Sequence, residues 1–370
     1  MSSETIEKTA IDAPSKLRHG VRQLLEFIYP DKASDELVQT VINAFYGNGK
    51  PRRRARVPGN SFWSERDNYV ITYGNTIYDG EHNPLDVLRH FAETHLAPVF
   101  KGIHILPYFP FTSDDGFAVT DYREVNSRLG SWEDIGRIAS KFRLMSDLVL
   151  NHCSSQSKMF TDYLQGHAPY DKFFYEALPT DDVSMVTRPR THPLLREVET
   201  ANGVKHVWCT FSHDQVDFDF SNPDVLVEFM DILSYHIERG VRTIRMDAVA
   251  FIWKQLGTNC IHLPQTHAII RLVRLLADFH SELIILITET NVPNLENLSY
   301  FGNRNEAHAI YNFSLPPLLL HALLNGTSRY LNAWQMRMPP AQLGCAYFNF
   351  SASHDGIGVR PAEGLIPDEE

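Results

Sequence analysis

The chain has 370 residues, 43% of them hydrophobic, and a formal net charge of −11 at pH 7. That length suits one barrel with insertions or two average domains, and the acidity argues against nucleic acid or an anionic membrane as a partner held by the overall field. The four cysteines, Cys153, Cys209, Cys260 and Cys345, lie far apart and form no CxxC pair. That spacing offers neither zinc ligands nor a dense disulfide framework, so reduced thiols and a cytoplasmic location are expected. Met1 to Ala13 has no apolar run of the signal-peptide kind, and no stretch reaches 18 apolar residues, so no membrane span is expected.

Residues 17–46 read as two helices. Leu17, Val21, Leu24, Leu25 and Ile28 follow helical spacing, and Leu37, Val38, Val41, Ile42 and Phe45 repeat it after Ser34 as cap. Gly47 and Gly49 end the second. Arg52, Arg53 and Arg54 then fall in a connector flanked by Pro and Gly, and read as a solvated loop. From residue 69 the pattern changes to short apolar strands alternating with amphipathic helices. The predicted strands are 69–73, 102–106, 144–150, 241–246, 283–288, 309–313 and 346–350. Ser131 caps one intervening helix; Asn222 with Pro223 starts another, and Gly240 stops it. Near-continuous apolar strands in series with helices mean a parallel sheet, and seven such units favour a barrel. Residues 153–220 break the rhythm. They contain Phe173, Phe174, Tyr175, Val207, Trp208 and Phe211, which suits a small inserted subdomain better than a structureless loop. The expected organisation is a helical extension over 1–64, a (β/α)8-type barrel over 65–152 and 221–370, and the insertion over 153–220.

In a parallel barrel the site lies at the C-terminal ends of the strands. Four of these strands end in polar or charged groups: Asp147 with Asn151-His152, Arg245 with Asp247, Glu289 with Asn291, and His354 with Asp355. Each ending alone is unremarkable, because buried strands often end in a helix-capping carboxylate. Four in one barrel call for a common explanation. Arg245 and Asp247 are two apart, so on a strand both point the same way, and the guanidinium is expected to keep the carboxylate ionised. Glu289 has no cation adjacent in sequence, which suits a carboxyl with a raised pKa and a general acid. Two carboxyls about 5 Å apart across a sugar describe a retaining glycosidase mechanism, and adjacent strands about 4.8 Å apart permit that separation. Asp147, inside its strand, is expected to bond backbone amides in the barrel wall. No HxH or HExxH cluster suggests a metal enzyme, and neither metal nor cofactor is expected.

These four strand ends, in this order, resemble the signature regions of glycoside hydrolase family 13, the α-amylase family. The matching segments are DLVLNH (147–152), RMDAV (245–249), ETN (289–291) and SHDG (353–356), with QVDFD (215–219) inside the insertion. SDDGF (113–117), TRPR (187–190), GTNCIHLPQTH (257–267) and FSLPPLLLHAL (313–323) further resemble the sucrose-phosphorylase-like subfamily. The resemblance implies Asp247 as nucleophile, Glu289 as acid/base and Asp355 as transition-state stabiliser. It implies a glucose subsite of Arg245, His152, His354, Asp114 and Phe117. Arg188 and Arg190 would form the phosphate or acceptor side, bordered by Phe211 and Gln215. The implied partners are a small-molecule α-glucoside and inorganic phosphate, and the implied reaction is phosphorolysis through a glucosyl-Asp247 intermediate.

Two positions depart from the sucrose-specific members. A tyrosine expected four residues after the nucleophile is Phe251, and a histidine expected two residues after the acid/base is Asn291. Both departures argue against plain sucrose. They resemble instead the branch acting on sucrose 6′-phosphate, glucosylglycerate or glucosylglycerol, with the acceptor open among these. The family also places an eighth strand and a C-terminal β domain after the HDG segment. Only seven strands are counted here, so the eighth strand and that domain are expected to be missing. A glucosidase or transglucosylase acting without phosphate, and an inactive truncated barrel, are the alternatives.

Overall fold

The computed structural model describes residues 11–47, 49–51, 63–64, 66–292 and 294–370. The arginine run at 52–54 lies outside the described residues. Two helices come first, α1 (Ser15–Ile28) and α2 (Asp35–Tyr46). Strand β1 (Tyr69–Thr72), α3 (Pro84–Phe91), β2 (Gly102–Ile105), α4 (Trp132–Ala139) and β3 (Arg143–Val149) follow. Then come β4 (His152–Ser154), α5 (Lys158–Gln165), β5 (Leu195–Thr200), β6 (Gly203–Trp208) and β7 (Gln215–Asp217). The alternation resumes with α6 (Pro223–Glu238), β8 (Val241–Asp247), α7 (Pro264–Asp278) and β9 (Ile285–Thr288). It continues through α8 (Asn294–Ser299), β10 (Ala309–Tyr311), α9 (Leu315–Asn325), α10 (Arg329–Arg337) and β11 (Ala346–Phe348).

The helices start and stop where their chemistry directs. Ser34 accepts the Leu37 N–H at 3.0 Å, and Asp35 and Glu36 sit in the first turn, where the helix dipole favours acids. Asn222 accepts the Asp224 N–H ahead of Pro223. Leu17, Val21, Leu25 and Ile28 bury one stripe of α1. That stripe lies on α7, while α2 lies on α6. At Gly20 a Cβ would come within 2.7 Å of Leu275 on α7, so the two helices approach too closely for a larger residue to fit without displacing that side chain. Tyr29 and Tyr46 reinforce the contact by donating their hydroxyls to the backbone of Phe220 and Leu276. The two N-terminal helices therefore brace those flanking β8, the strand that ends in Asp247.

Seven parallel strands form one sheet in the order β1-β2-β3-β8-β9-β10-β11. All seven strands predicted from the sequence are present, most of them a residue or two shorter than the apolar run. The sheet is curled. Tyr69 on β1 reaches Thr243 on β8 with its hydroxyl at 2.9 Å, and its ring lies 5.7 Å from Phe348 on β11. Side chains of the first and last strands thus meet inside, although β1 and β11 are not paired with each other. Between β3 and α6 the chain forms two small antiparallel sheets, β4 with β7 and β5 with β6, with α5 beside them. β4 follows β3 after two residues, so the β4–β7 ribbon rises directly from the C-terminal end of a barrel strand.

Candidate active site

β3, β8 and β9 lie side by side, and their register sets the chemistry. Asp147 is level with Arg245 and Val149 with Asp247; Met246 is level with Thr288, so Glu289 follows beside Asp247. Arg245 is buried. Its Nη1 donates to Asp147 Oδ1 at 2.6 Å and to Asp247 Oδ1 at 2.7 Å, and its Nη2 lies 3.9 Å from Glu289 Oε1. The other oxygen of Asp147 accepts Nε2 of buried His104, on β2, at 2.8 Å. Asp147 therefore bonds two side chains, and the expectation that it serves backbone amides is corrected: its neighbours offer charge, and a buried carboxylate needs charge more than amides. The rings of Phe117 and Tyr311 flank the guanidinium at 5.5 and 5.7 Å.

The carboxyls of this centre do not share one proton affinity. Burial alone would raise Asp147, but His104 and Arg245 outweigh it and hold it at about 2. Burial raises Asp247, and Arg245 opposes without prevailing, because Glu289 and Asp147 add their repulsion. Desolvation therefore works against the charge that Arg245 is expected to hold on Asp247. Glu289 is raised too, first by burial, with Arg245 and the Ala248 N–H opposing and Asp355 adding to the rise. Two carboxyls raised in one buried space titrate as a pair. Arg245 touches Asp247 directly and Glu289 only at 3.9 Å, which favours the charge on Asp247 and the proton on Glu289.

Around this centre stands a polar rim. His152 opens β4, is buried, and is held at about 4 first by that burial, so its imidazole is neutral. Its Nε2 lies 3.1 Å from the side-chain amide of Gln215, which also donates to Asp114 Oδ2 at 2.8 Å. Gln215 thereby ties His152 to Asp114. Phe211 lies 5.2 Å from His152 and 5.4 Å from Phe251, ring to ring. His354 stacks on Phe117 at 5.4 Å, and its Nε2 is 3.4 Å from Asp355. Burial lowers the pKa of His354. Asp355 itself is exposed, as are Asp114 and Asn291. Asp114 and Asp115 have φ of +57° and +49°. Non-glycine residues in this left-handed region cost on the order of 1–3 kcal/mol each and persist only where surrounding bonds impose them.

Below the rim is a second charged knot. Lys254 donates to Asn151 Oδ1 at 2.7 Å and pairs with Asp217 at 2.9 Å, and Asn151 donates to Asp217 at 2.8 Å. All three are buried. The knot joins the end of β3, the β7 strand and the segment after Asp247. Sequence reasoning did not single out His104 or Lys254, and reached Asp217 only as part of the segment QVDFD (215–219). The signal was present in His104, a polar residue in an otherwise apolar strand, and in Lys254, set between Trp253 and Gln255 close behind Asp247.

Arg188 and Arg190 are exposed on the segment before β5. Arg188 donates to the His192 carbonyl. Neither arginine pairs with Asp181, Asp182 or Glu197, which instead bond Leu178, Ser184 and His206. Among the described residues no hydrogen bond or ion pair links either arginine to Asp247, Glu289 or Gln215. No group of three or more His, Cys, Asp or Glu is placed to hold a metal among the described residues, and none of their helices is long and apolar enough to cross a membrane.

The pattern of the α-amylase catalytic domain matches residues 96–341. The chain belongs to the α-amylase family. Within that family it is 46% identical over 352 residues to the glucosylglycerate phosphorylase of Spirochaeta thermophila, covering 94% of this chain and 60% of that protein. It is 42% identical to the glucosylglycerate phosphorylase of Escherichia coli, over 83% of this chain and 56% of the relative. The chain thus spans about 60% of the length of the curated relatives it matches. Among solved structures, the sucrose 6F-phosphate phosphorylase of Thermoanaerobacter thermosaccharolyticum superposes with a TM-score of 0.72 at 27% identity, over 84% of this chain and 64% of that one. The isomaltulose synthase of Erwinia rhapontici, at 22% identity and a TM-score of 0.58, shares the fold over 68% of this chain and 49% of that one. The curled parallel sheet is therefore the α-amylase type of barrel.

Proposed function

We propose that this chain carries the centre for retaining α-glucosyl transfer, as the reversible phosphorolysis of an α-glucoside to α-glucose 1-phosphate. The observation that carries the reading is the buried Arg245, bonded to Asp247 and standing close to Glu289. It supports one charged and one protonated carboxyl facing the same space. Asp247 attacks C1 of the glucosyl group as the glycosidic C–O bond breaks, and Glu289 gives its proton to the departing oxygen. A phosphate oxygen then attacks C1 from the vacated face, the bond to Asp247 breaks, and Glu289 takes up the phosphate's proton. Asp355 stabilises the charge that develops at C1. Arg245, His152, His354, Asp114 and Phe117 hold the glucosyl ring. Arg188 and Arg190 receive phosphate and an anionic acceptor, with Phe211, Gln215 and Asn291 at the border. Residues 153–220 act as the subdomain that carries this acceptor side, on a barrel formed by 65–152 and 221–370.

Glucosylglycerate is the substrate best supported. Relatives bearing that name are 42–46% identical, whereas the sucrose phosphorylases are 30–31% identical. Phe251 and Asn291 depart from the sucrose enzyme on the acceptor side. The test is to incubate the full-length protein with glucosylglycerate and phosphate and to follow α-glucose 1-phosphate and its anomeric configuration by NMR. Equal turnover of sucrose would refute the acceptor assignment. Release of free glucose at the same rate without phosphate would make the enzyme a hydrolase.

A further inference from the structure

We propose that Asp214 is a positioning residue for the glucose subsite, holding segment 112–117 in the strained conformation that presents Asp114 and Phe117. The identity of the bound sugar rests on the phosphorylase reading; the clamp itself does not. Asp214 lies just before β7, and its carboxylate collects three hydroxyls. Oδ2 accepts from Thr112 Oγ1 at 2.5 Å and from Ser113 Oγ, and Oδ1 accepts from Ser155 Oγ at 2.8 Å. Its own carbonyl accepts the Ser155 N–H at 2.7 Å, and Thr112 also meets Ser154 at 2.6 Å. The carboxylate thus joins three pieces of chain: the segment leading into Asp114, the end of β4, and the entry to β7.

The need for such a joint comes from the backbone. Asp114 and Asp115 both stand at positive φ without being glycine. Internal bonds close the loop, from Thr112 N–H to Ala118 O and from Phe117 N–H to Asp114 O. Neither ties it to the rest of the protein. Ser154 touches its base through Thr112, and Phe117 packs on His354 and Arg245 from the barrel side; the two strongest ties come from adjacent side chains of residues 153–220. Asp214 takes the base of the loop through Thr112 and Ser113, and Gln215 takes its tip through Asp114 Oδ2. Burial opposes the charge on Asp214, but the hydroxyls outweigh it and hold the carboxyl below its ordinary range, so the clamp is anionic at neutral pH. A ligand that binds only the ordered loop sees its affinity divided by the fraction of molecules in which the loop is ordered. Loosening the clamp until one molecule in ten is ordered therefore raises KM about tenfold and spares the chemical step, because Asp247, Glu289 and Arg245 are held by barrel strands.

The experiment uses Asp214→Ala, Asp214→Asn and Ser113→Ala in the full-length protein, read by hydrogen exchange and by kinetics. The alanine variant at 214 is expected to raise exchange across 110–120 at least tenfold, leaving peptides over 241–247 unchanged. KM for the glucosyl donor should rise about tenfold or more, with kcat within about threefold. Asp214→Asn keeps an accepting oxygen and should recover part of both effects. If Asp214→Ala does not fold, the milder Ser113→Ala should still raise exchange and KM in the same direction. Unchanged exchange across 110–120 in the variants that fold overturns the clamp, and raised exchange with an unmoved KM overturns its role in the glucose subsite. Exchange needs no substrate, so a wild-type protein inactive on glucosides would sink the phosphorylase reading while the clamp is still decided.

Discussion

Arg245 is bonded to carboxylates and Arg190 is proposed to receive phosphate, and the fold treats the two in opposite ways. Arg245 sits on a strand between two others, buried, with Nη1 already committed to Asp147 and Asp247. Arg190 sits on an exposed segment of the insertion and makes no hydrogen bond or ion pair among the described residues. The difference teaches where each job belongs. A guanidinium that must sort charge between two carboxyls has to be fixed and dry, because both Coulomb energy and desolvation grow with burial. A guanidinium that must receive a soluble anion has to stay open and unpaired. On this view the barrel supplies chemistry common to the family and the insertion supplies the choice of acceptor.

The hardest test of the first half is Asp247→Asn. The amide cannot form the glucosyl ester, so turnover with natural substrate should fall by at least about 10⁴-fold, on the scale of losing a covalent catalyst. Folding should be unharmed, because burial disfavours the charge that is removed. Activity loss together with a lowered melting temperature would instead make Asp247 a structural partner of Arg245.

Glu289→Gln should come next, at about 10²- to 10⁴-fold for glucosides with poor leaving groups and far less for α-glucosyl fluoride. Its pH profile carries a sign. The carboxyl must be protonated to act as acid, and its pKa is raised by burial, so wild-type phosphorolysis is lost as pH rises through that value. With the fluoride, which needs no proton, the alkaline limb should disappear. Equal losses on both donors would remove Glu289 from the acid role.

The second half is tested by Arg190→Ala. A charge-assisted hydrogen bond is worth about 1.5–3 kcal/mol, so the KM for phosphate should rise about ten- to a hundredfold. Hydrolysis of α-glucosyl fluoride in the absence of phosphate should be spared. Unchanged phosphate dependence would leave the acceptor side without its proposed cation.

The same division explains what was legible beforehand. All seven barrel strands were visible as short, mainly apolar runs alternating with helices, a pattern that burial imposes on β2, β3, β8, β9 and β10 and that persists in the half-buried edge strands β1 and β11. The residues at their ends were visible because polar groups there interrupt that pattern. The Asp147–His104 pair was not, since β2 and β3 are neighbours in space and nothing local in sequence says which buried polar residues will meet. The knot of Lys254, Asp217 and Asn151 was hidden for the same reason, spread over more than a hundred residues. Gln215 was expected on the phosphate border and lies between Asp114 and His152. Its direction depends on the β4–β7 pairing, which a three-residue strand scarcely announces. The aromatic and apolar residues of 153–220 were legible, but not their arrangement in two antiparallel ribbons.

Arg188→Ala is the finest probe of the contrast, because Arg188 stands between the two extremes. It is exposed like Arg190, but one end of its guanidinium is already engaged with the His192 carbonyl. That bond pulls it towards the role of Arg245, a brace within the protein. An exposed hydrogen bond of this kind contributes about 0.5–1.5 kcal/mol, and a partly engaged cation offers fewer donors to phosphate than a free one. The KM for phosphate should therefore rise only about two- to fivefold, with a melting temperature lowered by no more than a degree or two. Arg188→Lys should restore the charge but not the planar fork, and so recover part of the phosphate term alone. The decisive comparison is with Arg190→Ala in the same assay. If Arg188→Ala proves the more damaging for phosphate, the bond to His192 is what presents the cation, and the engaged arginine rather than the free one is the acceptor-side residue.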